Sequence, residues 1–146
     1  MTELLPTYRG VVYPWHCDHM GHMNVMWYVG KFDEATWNFF AHLGIASRAL
    51  KEAGGVMAAV EQRIQYRREV LAGDTLSIGS GLLEMRDKVV VFFHEMRNNE
   101  TQEVSATCRL VGVHLDSGTR RARPLPDSVR ERAETLVRTY DFGDRT

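Results

Sequence analysis

The sequence predicts an α+β domain in which one antiparallel β-sheet wraps a single long central helix. Three observations carry this expectation. Apolar residues recur at helical spacing from Val25 to Leu43, the stretch from Val56 to Leu115 reads as strands, and Gly/Asp/Asn turn signals divide those strands at short intervals. At 146 residues the chain makes one domain, residues 1–146, long enough to bury most of its apolar surface.

Tyr8 to Tyr13 reads as a first strand, ended by Pro14. From Val25 onward Trp27, Tyr28, Phe32, Ala35, Trp37, Phe39, Phe40 and Leu43 fall mostly at three- and four-residue steps, and Gly44 supplies a C-terminal stop. The helix is apolar on more than one face, which predicts that other structure wraps it. Ser47 to Ala53 suggests a short second helix closed by Gly54 and Gly55. Val56 to Arg67 alternates through Val60, Gln62, Ile64 and Tyr66, and Gly73-Asp74 turns the chain into Thr75 to Met85. Arg86-Asp87 leads to Lys88 to Arg97, and Asn98-Asn99-Glu100 to Glu103 to Leu115. Four runs with short connections predict an antiparallel meander. Pro124 and Pro126 then precede an amphipathic helix over roughly Asp127 to Thr139. Open sheet edges favour pairing between subunits, so a homodimer or homotetramer is expected.

Composition narrows the function. A hydrophobic fraction of 44% and a charged fraction of 25% are those of an ordinary globular protein. A net charge of −1 argues against nucleic acid as a partner, since such binding rests on phosphate neutralisation by excess Lys and Arg. Cys17 and Cys108 alone imply no disulfide framework and fit a reducing cytoplasm. MTELLPTYRG has no basic region ahead of an apolar core, so no signal peptide is expected, and no apolar run approaches the ~20 residues of a membrane span.

The chemistry concentrates in WHCDHMGHMNVMWY, residues 15–28. So many ionisable side chains between a strand and a helix cost folding energy unless they face water, a metal or a substrate. The helix N-terminus behind them offers free N–H groups and a favourable dipole for negative charge. Acyl transfer needs a base or nucleophile at the carbonyl carbon and donors for the developing oxyanion. Asp18 is the candidate for the first and the amide of Val25 for the second. Asn24 is the right type for a helix N-cap, and Gly21 lets the backbone approach closely or take φ > 0.

This pattern resembles the 4-hydroxybenzoyl-CoA thioesterase-like branch of the hotdog-fold acyl-CoA thioesterases. The resemblance runs through Cys17-Asp18-x-x-Gly21, the helix with Tyr28, Phe32, Asp33 and Ala35, and the turn Glu84-Met85-Arg86-Asp87-Lys88. It implies a hotdog fold and hydrolysis of an acyl-CoA to a carboxylic acid and free CoA. Asp18 would be nucleophile or general base, and a backbone N–H near Val25 would hold the oxyanion. His22 and Asn24, in the form Gly21-His22-Met23-Asn24, would position the thioester; they have no counterpart in the 4-hydroxybenzoyl enzyme, so the acyl group stays open. Arg86 and Lys88 would grip the CoA phosphates, with Arg67 and Arg68 as a second pair. Coenzyme A is part of the substrate, and no metal or redox cofactor is implied.

Other readings stand beside these. Asp18 and Asn24 can serve as caps, and Arg86 and Lys88 as a solvated turn. His16, His19 and His22 converge on a metal only if a helix or tight turn brings them together. Cys17 can be a small buried filler or a nucleophile, and Arg120, Arg121 and Arg123 a solvated loop or a nucleotide contact. Met26 and Trp27 are candidates for the acyl pocket, Met20, Met23 and Phe32 for the core. A hotdog enoyl-CoA hydratase pairs an aspartate with a histidine five residues on in Asp-x-Asn-Pro-x-His; here Asp18 and His22 are four apart and Asn-Pro is missing. A non-catalytic acyl-CoA or acyl-carrier binding module is the third reading.

Overall fold

The computed structural model describes residues 3–143. The chain runs β1 (Leu5–Val11), a 3-10 turn (Pro14–His16), α1 (Val25–Leu43), α2 (Ser47–Glu52), β2 (Gly55–Tyr66), β3 (Thr75–Met85), β4 (Val89–Asn98), β5 (Val104–Asp116) and α3 (Asp127–Glu134). The strands form one antiparallel sheet in the order β1-β3-β4-β5-β2. This is the α+β hotdog arrangement, a sheet with one long helix against it.

α1 begins where expected because Asn24 caps it, its side-chain oxygen accepting the Met26 N–H at 3.0 Å. It ends at Gly44, whose φ of 90° is readily adopted only by a residue without a Cβ. Tyr28, Phe32, Ala35, Phe39 and Leu43 form its buried stripe and meet Leu76, Ile78, Leu82, Phe92 and Met96 of the sheet in one core cluster. Phe39 stacks on Phe92 with centroids 5.4 Å apart. Asn38 Nδ2 donates to the Thr7 carbonyl at 2.7 Å, which fixes α1 over β1.

The core also holds a polar string. His94, fully buried, has its Nε2 2.8 Å from Thr36 Oγ1 and its Nδ1 2.5 Å from Ser80 Oγ. Ser80 continues to Thr7 at 2.8 Å. The Thr36 hydroxyl donates to the Phe32 carbonyl at 3.0 Å, so His94 carries its proton on Nε2 and accepts from Ser80 on Nδ1. Every buried polar atom in this string thus has a partner.

Several expectations are corrected. Only β3, β4 and β5 form a meander; β2 pairs with β5 at the far edge and reaches β3 through a connection over 67–74 rather than a short turn. β1 starts earlier than Tyr8 because Leu5 and Pro6 pair with Ser80 and Gly79, and it leaves β3 after Val11 pairs with Thr75. α3 stops at Glu134, not near Thr139. The chain there bonds to β3 beyond the end of β1, Leu82 N–H to Leu136 O at 3.0 Å and Arg138 N–H to Leu82 O at 2.7 Å. Finally, one face of α1 is covered but not all of it. Val25, Met26, Val29 and Trp37 are exposed, as is Val60 on the β2 edge. Among the described residues no helix is long and apolar enough to cross a membrane.

Candidate active site

The loop between the 3-10 turn and α1 closes on itself. Cys17 and Met23 form an antiparallel bridge, the Asp18 N–H reaches the His22 carbonyl at 3.2 Å, and the Gly21 N–H reaches the Asp18 carbonyl at 3.0 Å. Gly21, at φ 88°, makes that reversal possible. The loop is pinned by Met23 N–H to Val70 O and by Asn24 N–H to His16 O, both 2.9 Å.

Inside this loop the Asp18 carboxylate is held from two sides. One oxygen accepts the Met20 N–H at 2.8 Å, and the other accepts from Asn24 Nδ2 at 2.8 Å. The Asn24 bond first, then the Met20 amide, hold the Asp18 carboxyl below the usual aspartate range. Asn24 therefore touches the carboxylate with its amide nitrogen and α1 with its amide oxygen. The Val25 N–H, the first of the helix, has no acceptor among the described residues, as expected for an N-terminal donor. An ionised carboxylate beside an open helix-end donor can attack a carbonyl, or activate water against it, while the donor receives the oxyanion.

The other loop residues point elsewhere. His22 Nε2 lies 3.6 Å from Glu69 Oε1. His16 is buried, its Nδ1 accepting the Tyr13 N–H at 2.9 Å and its ring tilted against Trp27 at 4.5 Å. Burial, then the charge of Lys31, lower its pKa. His19 is exposed, so the three imidazoles do not converge. Among the described residues no group of three or more His, Cys, Asp and Glu is placed to hold a metal ion. Cys17 is partly buried.

The basic residues divide between the ends of the sheet. β3 starts beside the loop, where the Val12 N–H bonds the Asp74 carbonyl at 2.9 Å, and runs from Thr75 to Met85. At about 3.3 Å per residue that is roughly 30 Å. Arg86 and Lys88 lie past its far end, with Arg86 Nε bound to Glu84 at 2.9 Å. Within one chain they therefore lie at the opposite end of β3 from the Asp18 loop. While the Arg67 guanidinium turns toward Gln65 and Gly143, the backbone at Arg67 and Arg68 leads into the segment that meets that loop. Both backbone N–H groups bond Ser105 O, the neighbouring Tyr66 ring meets Tyr28 at 5.1 Å, and Glu69 faces His22. Arg68 also pairs with Glu103 at 2.8 Å. Of the Arg120 to Arg123 run, Arg123 is taken up by Asp116 and the Ala53 carbonyl.

Two residues were invisible to sequence reasoning. Lys31 and Tyr8 meet at 2.8 Å between α1 and β1. The available signal was a lysine one turn after buried Tyr28, on the apolar stripe rather than the solvent face.

Sheet, helix and loop together define a hotdog-fold thioesterase. The model of the Thioesterase-like superfamily matches residues 12–133, and the chain belongs to that superfamily. It is 24% identical over 140 residues to a betainyl-CoA thioesterase of Pseudomonas aeruginosa, covering 96% of this chain and 88% of that one. It is 28% identical over 119 residues to an Agrobacterium fabrum L-carnitine dehydrogenase/betainyl-CoA thioesterase, covering 82% of this chain and 24% of that longer protein. A Staphylococcus aureus protein solved in complex with CoA shares the fold with a TM-score of 0.86 at 17% identity, covering 100% of this chain and 97% of that chain. A Synechocystis 1,4-dihydroxy-2-naphthoyl-CoA thioesterase does so with a TM-score of 0.78 at 17% identity, over 88% and 95% of the two chains.

Proposed function

We propose that this thioesterase hydrolyses an acyl-CoA, with the Asp18 carboxylate as the group that acts on the thioester carbonyl and the Val25 N–H as the oxyanion donor. The observation that carries the reading is the joint use of Asn24, whose side chain caps α1 and holds Asp18 at 2.8 Å while the next residue in the chain supplies that donor. Asn24 is then the positioning residue, and His22, which faces Glu69 beside the loop, would orient the thioester. Ionised Asp18 can attack directly, through an Asp18 acyl anhydride that water then opens, or act as a general base that activates water against the carbonyl. One preorganised donor is worth roughly 3 kcal/mol of transition-state stabilisation.

Arg67 and Arg68, on the connection that carries Glu69 to His22 and Val70 to Met23, are the cations we assign to the CoA phosphates. Betainyl-CoA, the substrate named for the two relatives, is the first thioester to assay. We assign the assembly to a homodimer or homotetramer, because the open β2 edge carries Val60 at 62% exposure beside a helix face with Trp37 at 40%.

The test is thiol release, followed with Ellman's reagent across a panel of acyl-CoAs. Free CoA from wild type and none from Asp18→Asn, with unchanged circular dichroism, is the expected result. Turnover of Asp18→Asn within a few-fold of wild type removes Asp18 from the chemistry. Loss of conjugated-thioester absorbance without thiol would mark a hydratase, and binding with neither change a carrier module. After a single turnover in oxygen-18 water, label in the Asp18 carboxyl group marks direct attack with water opening the anhydride at the Asp18 carbon, and trapping with hydroxylamine marks the anhydride whichever carbonyl water attacks.

A further inference from the structure

On the β1 side of α1 lies an open cleft of about 610 Å³, lined by Tyr8, Tyr13, Trp15, His16, Trp27, Gly30, Lys31 and Glu34. Three independent features of it call for an occupant. The first is Lys31, only 4% exposed, whose Nζ donates to the Tyr8 hydroxyl at 2.8 Å and has no carboxylate within ion-pair distance among the described residues. A buried cation is normally paired with an anion, and among the described residues Lys31 has only the Tyr8 hydroxyl and the Tyr8 ring, whose centroid is 5.2 Å from Nζ.

The second feature is the wall. Tyr13 and Trp15 stack at 4.5 Å, His16 leans on Trp27 at 4.5 Å, and Trp15 is 65% exposed. Because His16 accepts on Nδ1, it keeps its proton on Nε2 as a further donor. The third feature is Gly30, inside the second turn of α1. Glycine destabilises a helix interior relative to alanine, yet a Cβ here would meet no atom within 4 Å. Packing does not require this glycine, and a side chain there would project into the cleft it lines. Gly10 works to the same end, since a Cβ there would overlap the Tyr8 hydroxyl.

We propose that this cleft binds a small monocarboxylate, its carboxylate on Lys31 Nζ and the Tyr8 hydroxyl and its body against the Trp15 and Trp27 rings. Charge-assisted bonds from an ammonium and a phenol suit a carboxylate, and indole faces suit either a flat ring or a quaternary ammonium. Glu34 on the rim opposes a second negative charge. The cleft lies on the opposite flank of α1 from the space lined by Asp33, Trp37 and Met57.

The experiment titrates benzoate and betaine into the full chain, with benzamide and choline as counterparts lacking the carboxylate, read by tryptophan fluorescence and calorimetry. Saturable binding of at least one carboxylate, tenfold or more tighter than its counterpart, is the expected outcome. Benzoate alone assigns a flat neutral body, betaine alone a cationic one. Lys31→Met is expected to weaken binding at least tenfold. Gly30→Leu, which fills the cleft from a position with free space, is expected to abolish it at unchanged helicity and to keep the test valid if Lys31→Met does not fold. Asp18→Asn is expected to bind normally, which separates this site from the thioesterase reading. No saturable binding of either carboxylate, equal binding of the counterparts, or binding that survives Gly30→Leu overturns the proposal.

Discussion

Asn24 and Asp18 are joined by a 2.8 Å hydrogen bond whose donor is also the residue that caps the long helix. One side chain thus caps α1 and lowers the pKa of the carboxylate. Asn24→Ala is expected to cost about 1 kcal/mol through the lost cap, seen in urea unfolding. The same variant removes the largest influence lowering the Asp18 pKa. The acid limb of kcat/KM against pH should therefore move to higher pH. An acid limb that stays in place would separate Asp18 ionisation from the rate.

His94 predicts an acid-sensitive fold. Burial depresses its pKa from 6.5 to about 3, so the folded protein holds it neutral where the unfolded chain takes up a proton. Its contribution to stability is complete above 6.5 and is lost as pH falls toward 3. One proton corresponds to about 1.4 kcal/mol per pH unit in that window. His94→Gln should melt lower than wild type at pH ~7 yet lose less on acidification, a ~6.5 unfolded pKa being absent. Equal slopes of Tm against pH in the two proteins would reject this role.

Phe92 is buried under Phe39 and Phe40, with centroids at 5.4 and 5.3 Å. Phe92→Ala should cost 3–5 kcal/mol, roughly the range for an aromatic removed from a packed core. Chemical denaturation measures it, and a loss below about 1 kcal/mol would mean that the helix collapses into the space.

Arg67 and Arg68 lie on the connection that meets the Asp18 loop through Glu69 and Val70, whereas Arg86 lies across the length of β3 from it. Replacing Arg67 and Arg68 together by Ala should raise KM for an acyl-CoA several-fold with kcat held, and weaken its dependence on salt. Arg86→Ala should leave KM within error. The opposite ranking would place the CoA phosphates at the far turn, against a site completed by a neighbouring subunit.

The elements themselves were legible from the chain. α1 and β3 occupy the residues their periodicity indicated, because a stripe such as Tyr28-Phe32-Ala35-Phe39-Leu43 is local and its end signals, Asn24 and Gly44, are adjacent in sequence. The Asp18 loop could be singled out for a similar reason, since its bonding partners Met20 and Asn24 lie within six residues.

Long-range placement was not legible. Which strand β2 joins, where Arg86 sits relative to Asp18, and that Lys31 turns toward Tyr8 each depend on residues far apart in sequence meeting through packing. The amino-acid order by itself determined the helix, the strands and the chemical character of the loop, through backbone propensity and local hydrogen bonding. Only the tertiary structure decided which charges share a cavity, because burial and distance between remote side chains arise when the sheet closes on the helix.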